Sequence, residues 1–297
     1  MATVNEAEGT ARMRAFEVQV AAGDPVLVEY PQALATDAVE AFNSVLPFTT
    51  TVRQSEWCGQ AVVADVPASS FERASGSDFR ASSLYPGWLA WDPTSHAMLL
   101  SYGKAEYRSA SGLRYAWMLG EASAMRRSFL SELAALHSNG QAQLTCRPAS
   151  QQPPAGGKAG SLIVGAGDEE HAFSLLDAMA PETVKAILGA LPLTVTVTTA
   201  RWSGDLLHGQ APITTQVGAS ALEHPAASLY PGTLALRPTD AEHWELVLSY
   251  GRAEFRHAEG MAYATPVARS DQSIDSLQRW LGAASAKGGC SLQIRLP

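Results

Sequence analysis

The feature that most constrains this chain is that it is written twice. Ser83-Leu84-Tyr85-Pro86-Gly87-Trp88-Leu89-Ala90-Trp91-Asp92-Pro93-Thr94 returns as Ser228-Leu229-Tyr230-Pro231-Gly232-Thr233-Leu234-Ala235-Leu236-Arg237-Pro238-Thr239. A few residues later Leu100-Ser101-Tyr102-Gly103-Lys104-Ala105-Glu106-Tyr107-Arg108 returns as Leu248-Ser249-Tyr250-Gly251-Arg252-Ala253-Glu254-Phe255-Arg256. Two ordered matches of this quality mark an internal repeat, so whatever fold one copy adopts the other must adopt too. Upstream, residues 36–47 and 181–192 both read as short amphipathic helices that end at Leu-Pro, and a β-rich run follows each. The expected organisation is one domain over residues 14–146, a Pro- and Gly-rich linker over 147–160 and a second domain over 161–297. Each copy is large enough to bury its own core without staples. The polar, patternless residues before about position 14 read as a loose arm.

Within a copy, short strands outnumber helices. Residues 16–20 and 161–164 open the two copies as strands, and Tyr-Pro-Gly supplies a turn before residues 88–91. Residues 104–108 alternate, with Lys104, Glu106 and Arg108 on one face and Ala105 and Tyr107 on the other. A second helix is expected over 122–137 and its counterpart over 272–281. The fold class is therefore mainly β with some α: a small antiparallel barrel with capping helices, used in tandem.

The net charge of −8 argues against non-specific nucleic-acid binding, which needs a basic footprint. Cys58, Cys146 and Cys290 are far apart and lack metal spacing, which suits a reducing compartment. The chain opens without a leader pattern and has no apolar run near the length of a membrane span. Cytoplasmic location, no membrane partner, no metal and no cofactor are the expectations. No phosphate loop, nucleophile elbow or paired-histidine motif occurs.

Several segments carry a family resemblance. Ala38-Val39-Glu40-Ala41-Phe42 with Leu46-Pro47, Glu56-Trp57-Cys58-Gly59-Gln60, Tyr85-Pro86-Gly87-Trp88-Leu89-Ala90-Trp91 and Leu100-Ser101-Tyr102-Gly103 resemble the bacterial cyclophilin-like barrels, and Pro181-Glu182-Thr183-Val184-Lys185-Ala186-Ile187 does so again in the second copy. The arginine, phenylalanine and histidine pattern of a prolyl isomerase is missing, so that activity is not implied. A tandem chain of this size resembles the bacterial cyclophilin-like Pictet–Spenglerases, which form β-carbolines. In that group a glutamate is the essential base, with a histidine ten residues upstream and an arginine before it. Glu106 and His96 have that spacing here, and Arg80 precedes them, with Arg73 as its competitor. The resemblance implies L-tryptophan or a derivative and an aldehyde as substrates, and a homodimer.

Such a reaction needs a carboxylate that relays protons and steadies an iminium, a grip on the amino-acid carboxylate, and aromatic walls for an indole. The resemblance gives the first two roles to Glu106 and Arg80 and the departing carbinolamine hydroxyl to His96, and the tryptophan content of the first copy, where the second has Thr233 and Leu236, offers Trp88 and Trp91 as the walls. The tryptophan-rich first copy is thus the expected home of the active site. Structural readings stand beside these roles. Glu106 between Lys104 and Arg108 also describes a solvated charge ladder, and the tryptophans also suit a core. The alternative functions are an opine-type cyclisation of histidine with an oxo acid, and a cyclophilin-like binding module without catalysis.

Overall fold

A computed structural model of the protein describes residues 15–30, 37–67, 80–122, 127–149, 160–200, 202–214, 222–240 and 242–297. Arg73 and residues 150–159 of the expected linker lie outside them. Two closed eight-stranded antiparallel barrels account for most of the chain. Around the first, Ala15–Val20 pairs with Gln141–Pro148, and the circle continues through Phe48–Gln54, Gly59–Asp65, Ala97–Glu106, Trp88–Asp92, Ala116–Ala122 and Val26–Glu29. The pairs Glu121↔Glu29 and Ala122↔Val28 close it. The second runs Ser161–Ala166, Gly289–Arg295, Leu193–Thr199, Gly204–Ala211, Trp244–Glu254, Thr233–Pro238, Thr265–Arg269 and Glu169–Leu175, back to the start. Both circles have the same connectivity, so neither barrel leaves a free sheet edge of its own. The last strand of the first barrel pairs Arg147 with Glu17 and Pro148 with Phe16, two residues into the segment read as linker.

Helices lie where the periodicity put them, with shifted bounds. Asp37–Asn43 and Pro181–Ala190 are the short helices before the two Leu-Pro bonds, both of which are cis. The helix expected from residue 122 begins at Arg127, because Ala122 is the final barrel-closing strand residue. Its counterpart is broken into Ile274–Leu277, a π turn at Gln278–Gly282 and Ala283–Ala286, and Ser273 caps it by accepting from Ser276 N–H at 3.2 Å. No helix among the described residues is long and apolar enough to cross a membrane.

The unbroken apolar runs have a physical cause. A strand wet on one side alternates, whereas one buried on both sides does not. In Trp88–Asp92, Leu89 and Trp91 point into the barrel core, while Trp88 and Ala90 enter a separate apolar cluster. In the second copy Leu234 and Leu236 fill the barrel and Ala235 joins that same cluster. This third cluster is a seam between the barrels. It draws Ala61, Ala81, Leu84, Ala105 and Ala116 from one copy and Leu206, Leu229, Val247, Ala253 and Phe255 from the other. Its many alanines let the two sheets approach closely.

The repeated motifs are the centre of that seam. Ser101 and Ser249, of the two Leu-Ser-Tyr-Gly motifs, donate their hydroxyls to the carbonyls of Tyr85 and Tyr230. Gly87 and Gly232 N–H bond back to the carbonyls of those serines at 2.8 and 2.9 Å. Gly232 has φ +77°, and a Cβ there would meet the Ser270 carbonyl at 2.9 Å, so the turn excludes other residues. So held, the rings of Tyr85 and Tyr230 stack at 3.9 Å between centroids. Each tyrosine hydroxyl accepts from the other's backbone N–H at 3.2 Å. The reciprocity identifies a pseudo-two-fold axis through the pair.

Candidate active site at the seam

The axis generates two equivalent carboxylates, each reached by a tyrosine from the opposite barrel. Tyr263 donates to Glu106 Oε1 at 3.3 Å, and Tyr115 donates to Glu254 Oε1. Each acid is also gripped on Oε2 by the arginine two residues on: Arg108 at 2.9 Å and Arg256 at 2.7 Å. The alternation read from residues 104–108 is what aims these groups, since Lys104, Glu106 and Arg108 share one face while Ala105 and Tyr107 are buried behind it. Gly59 and Gly204, at φ +73° and +76°, let the preceding loops lie against the backbone of Lys104 and Arg252. Those loops present Trp57 and Trp202, which are 57 % and 66 % exposed. Tryptophans this open are surface fixtures, and neither contributes to a core.

At Glu254 there is a cavity of about 470 Å³ lined by Arg80, Tyr115, Trp202, Arg252, Glu254 and Arg256 among others. Burial by itself would raise the Glu254 carboxyl; the Tyr115 hydroxyl, the Arg256 bond and charge and the nearby Arg252 outweigh it and hold the group below its ordinary range. The bond to Glu254, together with burial, pushes the Tyr115 hydroxyl up. At Glu106, burial and the neighbouring carboxylate raise Tyr263, and Lys104 Nζ lies 4.9 Å from the Tyr263 ring centroid.

The residues singled out from sequence are distributed differently from their linear spacing. Arg80 pairs through its backbone with Trp117, places its guanidinium 5.0 Å from that ring and lines the cavity of Glu254, in the other copy. His96 sits exposed in the turn between two strands at φ +53°, and its neighbour Ser95 reaches the Tyr107 hydroxyl at 3.1 Å, on the side of the strand away from Glu106. No hydrogen bond or ion pair joins His96 to Glu106. Trp91 is wholly buried in the first barrel's core against Phe42, and so is not an open substrate wall. Trp88 is 2 % exposed in the seam, edge-on to Tyr230 with the Arg269 guanidinium 4.8 Å from its ring. The spacing argument worked along one chain segment, whereas the pseudo-two-fold assembles neighbours from both. Tyr115, Trp202 and Arg256 line that cavity outside any such spacing; of the three, only Arg256 carried a sequence signal, as part of the second Glu-Tyr/Phe-Arg strand.

No protein-family description matches the chain, and no curated protein sequence matches it. Among solved structures, McbB in complex with tryptophan is similar with a TM-score of 0.34 and 16 % identity over 46 % of this chain, which spans 44 % of that one. The solution structure of the hypothetical protein AF2241 from Archaeoglobus fulgidus has a TM-score of 0.32 and 19 % identity, covering 49 % of this chain and 100 % of that one.

Proposed function

We propose that the chain is a Pictet–Spenglerase built from two cyclophilin-like barrels, condensing L-tryptophan or a derivative with an aldehyde to a tetrahydro-β-carboline, and that the reaction takes place in the Glu254 cavity. The observation that carries the reading is that one cavity holds an ionised carboxylate, three guanidinium groups and two open aromatic rings. An aromatic amino acid needs all three. Arg80 or Arg252 is free to take the substrate carboxylate as a bidentate fork. Glu254, kept ionised, attracts the amine, and Trp202 and Tyr115 offer faces to the indole.

The amine adds to the aldehyde and loses water, giving an iminium. Indole C2 attacks the iminium carbon, and the ring proton then leaves to restore aromaticity. Glu254 stabilises the cation through both steps. The protonated ring is a far stronger acid than a carboxylic acid, so even a carboxylate of lowered basicity accepts its proton. Tyr115, on the other oxygen's side of the same carboxylate, provides the hydroxyl through which that proton is handed on.

The test is incubation of the protein with L-tryptophan and a panel of aldehydes, reading product at the summed mass less one water. Product is expected, with loss of about a hundredfold or more in Glu254→Gln. Absence of product with every aldehyde, or full activity in Glu254→Gln, overturns the reading. If instead Glu106→Gln alone is inactive, the chemistry belongs to the twin carboxylate of the first copy. Thermal stabilisation by histidine and not by tryptophan would favour the opine-type alternative.

A further inference from the structure

The outer face of the second barrel carries a separate cavity of about 730 Å³ over the strands Leu193–Thr199, Gly204–Ala211, Thr233–Pro238 and Trp244–Glu254. Its floor is the Glu245 carboxylate, with only 5 % of the side chain exposed. Three cation-capable groups lie on that carboxylate. His208 Nδ1 is 2.9 Å from one oxygen; His257 Nε2 and Arg237 Nη1 are 3.2 and 3.7 Å from the other. Each of the three is about a third exposed. The remaining lining, such as Thr198 and Gln210, is uncharged, so among the described residues these four are the charged and titratable groups facing one another here.

The donor and acceptor inventory fixes the protons. An ionised carboxylate only accepts, so His208 Nδ1 carries the hydrogen and donates it, which leaves Nε2 with the ring's lone pair. His257 Nε2 is also 2.5 Å from Arg237 Nη1. Arginine is always a donor, so in its neutral form His257 accepts from it. A proton arriving on His257 turns that nitrogen into a donor toward Glu245 and frees the Arg237 N–H. The cavity thus gains a cation and an unengaged guanidinium donor together. A metal ion does not suit it: Arg237 occupies the lone pair of His257, and no metal-holding cluster occurs among the described residues. Nor does the first copy share it: Val63 and Ser109 stand where His208 and His257 do.

We propose that this cavity is a second ligand site, which binds the oxyanion group of a small carboxylate or phosphate compound on Arg237 and His208 and takes up a proton as it does so. The test is calorimetric titration of the full chain with sodium formate and with sodium sulfate, planar and tetrahedral probes that keep their charge between about pH 5.5 and about pH 8. Binding is expected to be about tenfold tighter at the lower pH. Arg237→Gln should weaken it about tenfold at both pH values, and His208→Gln with His257→Gln should abolish the pH dependence. Should Arg237→Gln lose its circular-dichroism spectrum, Arg237→Lys keeps the charge without the planar fork and should weaken binding by a smaller factor. The stronger of the two probes identifies the ligand's group as carboxylate or phosphate. No binding of either at the lower pH, unchanged affinity in the Arg237 variants, or unchanged pH dependence without both histidines would overturn the proposal.

Discussion

The hairpin formed by Trp88–Asp92 and Ala97–Glu106 and the one formed by Thr233–Pro238 and Trp244–Glu254 share a fold and a register, yet treat one cross-strand pair in opposite ways. In the first barrel the pair is Asp92↔Ala97, and in the second it is Arg237↔Glu245. Asp92 is buried and fully engaged: the Tyr107 hydroxyl at 2.7 Å, Ser95 at 2.8 Å, Thr94 N–H at 3.0 Å and Arg114 at 2.9 Å leave it no room for a ligand. Moving the acid to the facing strand, with histidines for neighbours, converts a closed network into an open, charged cavity. The two hairpins differ in which member of the pair holds the acid, while the barrel remains the same.

The seam offers the sharpest way to break the equivalence of the copies. Glu121 and Arg269 occupy matching positions, beside Trp88 and Thr233 respectively, and they meet across the axis at 3.4 Å. Glu121→Arg places two guanidinium groups together in a partly buried site and should cost about 2 kcal/mol or more in urea unfolding. Adding Arg269→Glu should restore most of it, and a double variant no better than the single would show that the two do not couple.

The tyrosine pair sharpens the comparison further. Tyr230 accepts from Tyr85 N–H and donates to the Ser83 carbonyl at 2.9 Å, whereas among the described residues Tyr85 has only Thr233, at 3.5 Å, as its acceptor. Both phenylalanine variants orphan a buried backbone N–H, at about 1–3 kcal/mol, and Tyr230→Phe should be the costlier. Equal losses would mean that the Ser83 bond adds nothing beyond the Thr233 contact, and no loss in either variant that only the stacked rings matter.

Acid separates the barrels next. Burial alone would raise the Asp92 carboxyl, but the Tyr107 and Ser95 hydroxyls, Arg114 and Thr94 N–H together hold it below its ordinary 3.8. A carboxylate depressed in the folded state stabilises above its unfolded value, and that contribution disappears as pH falls through the folded value. Asp92→Asn should therefore cost about 1 kcal/mol at neutral pH and nothing at about pH 2, giving a flatter acid limb in thermal denaturation. An unchanged acid limb would assign the effect to other carboxylates.

Trp202→Ala should be the mildest. Because the side chain is largely exposed, stability should change by less than about 0.5 kcal/mol, while the thermal shift produced by tryptophan is lost. A retained shift would take Trp202 out of the substrate's reach.

The barrel was legible because its signals are local: alternation at Lys104 to Arg108, apolar runs at Trp88 and Leu234, and turn residues at Tyr-Pro-Gly all act within a few positions. The site was legible only in its ingredients. Spacing placed Glu106, His96 and Arg80 along one copy, whereas the cavity joins Arg80 to Glu254 of the other. No spacing within a copy encodes a contact made by rotating one copy onto the other. Trp91 misled for a related reason: an aromatic in an apolar strand looks alike whether it faces a ligand or the barrel core, and only closure of the sheet decides. The cavity over Glu245 left no linear trace, since His208, Glu245 and His257 come from three separate strands.

The seam between Tyr85 and Tyr230 has a consequence for how such a molecule is able to change. Two separate identical subunits meeting on a true two-fold must set every axial residue against itself, so an acid there faces an acid and any substitution is felt twice. Joining the subunits in one chain lifts that constraint, and association no longer depends on dilution. Glutamate can then answer arginine across the axis, tryptophan can fill the space that threonine vacates, and one half can open a cavity while the other stays shut.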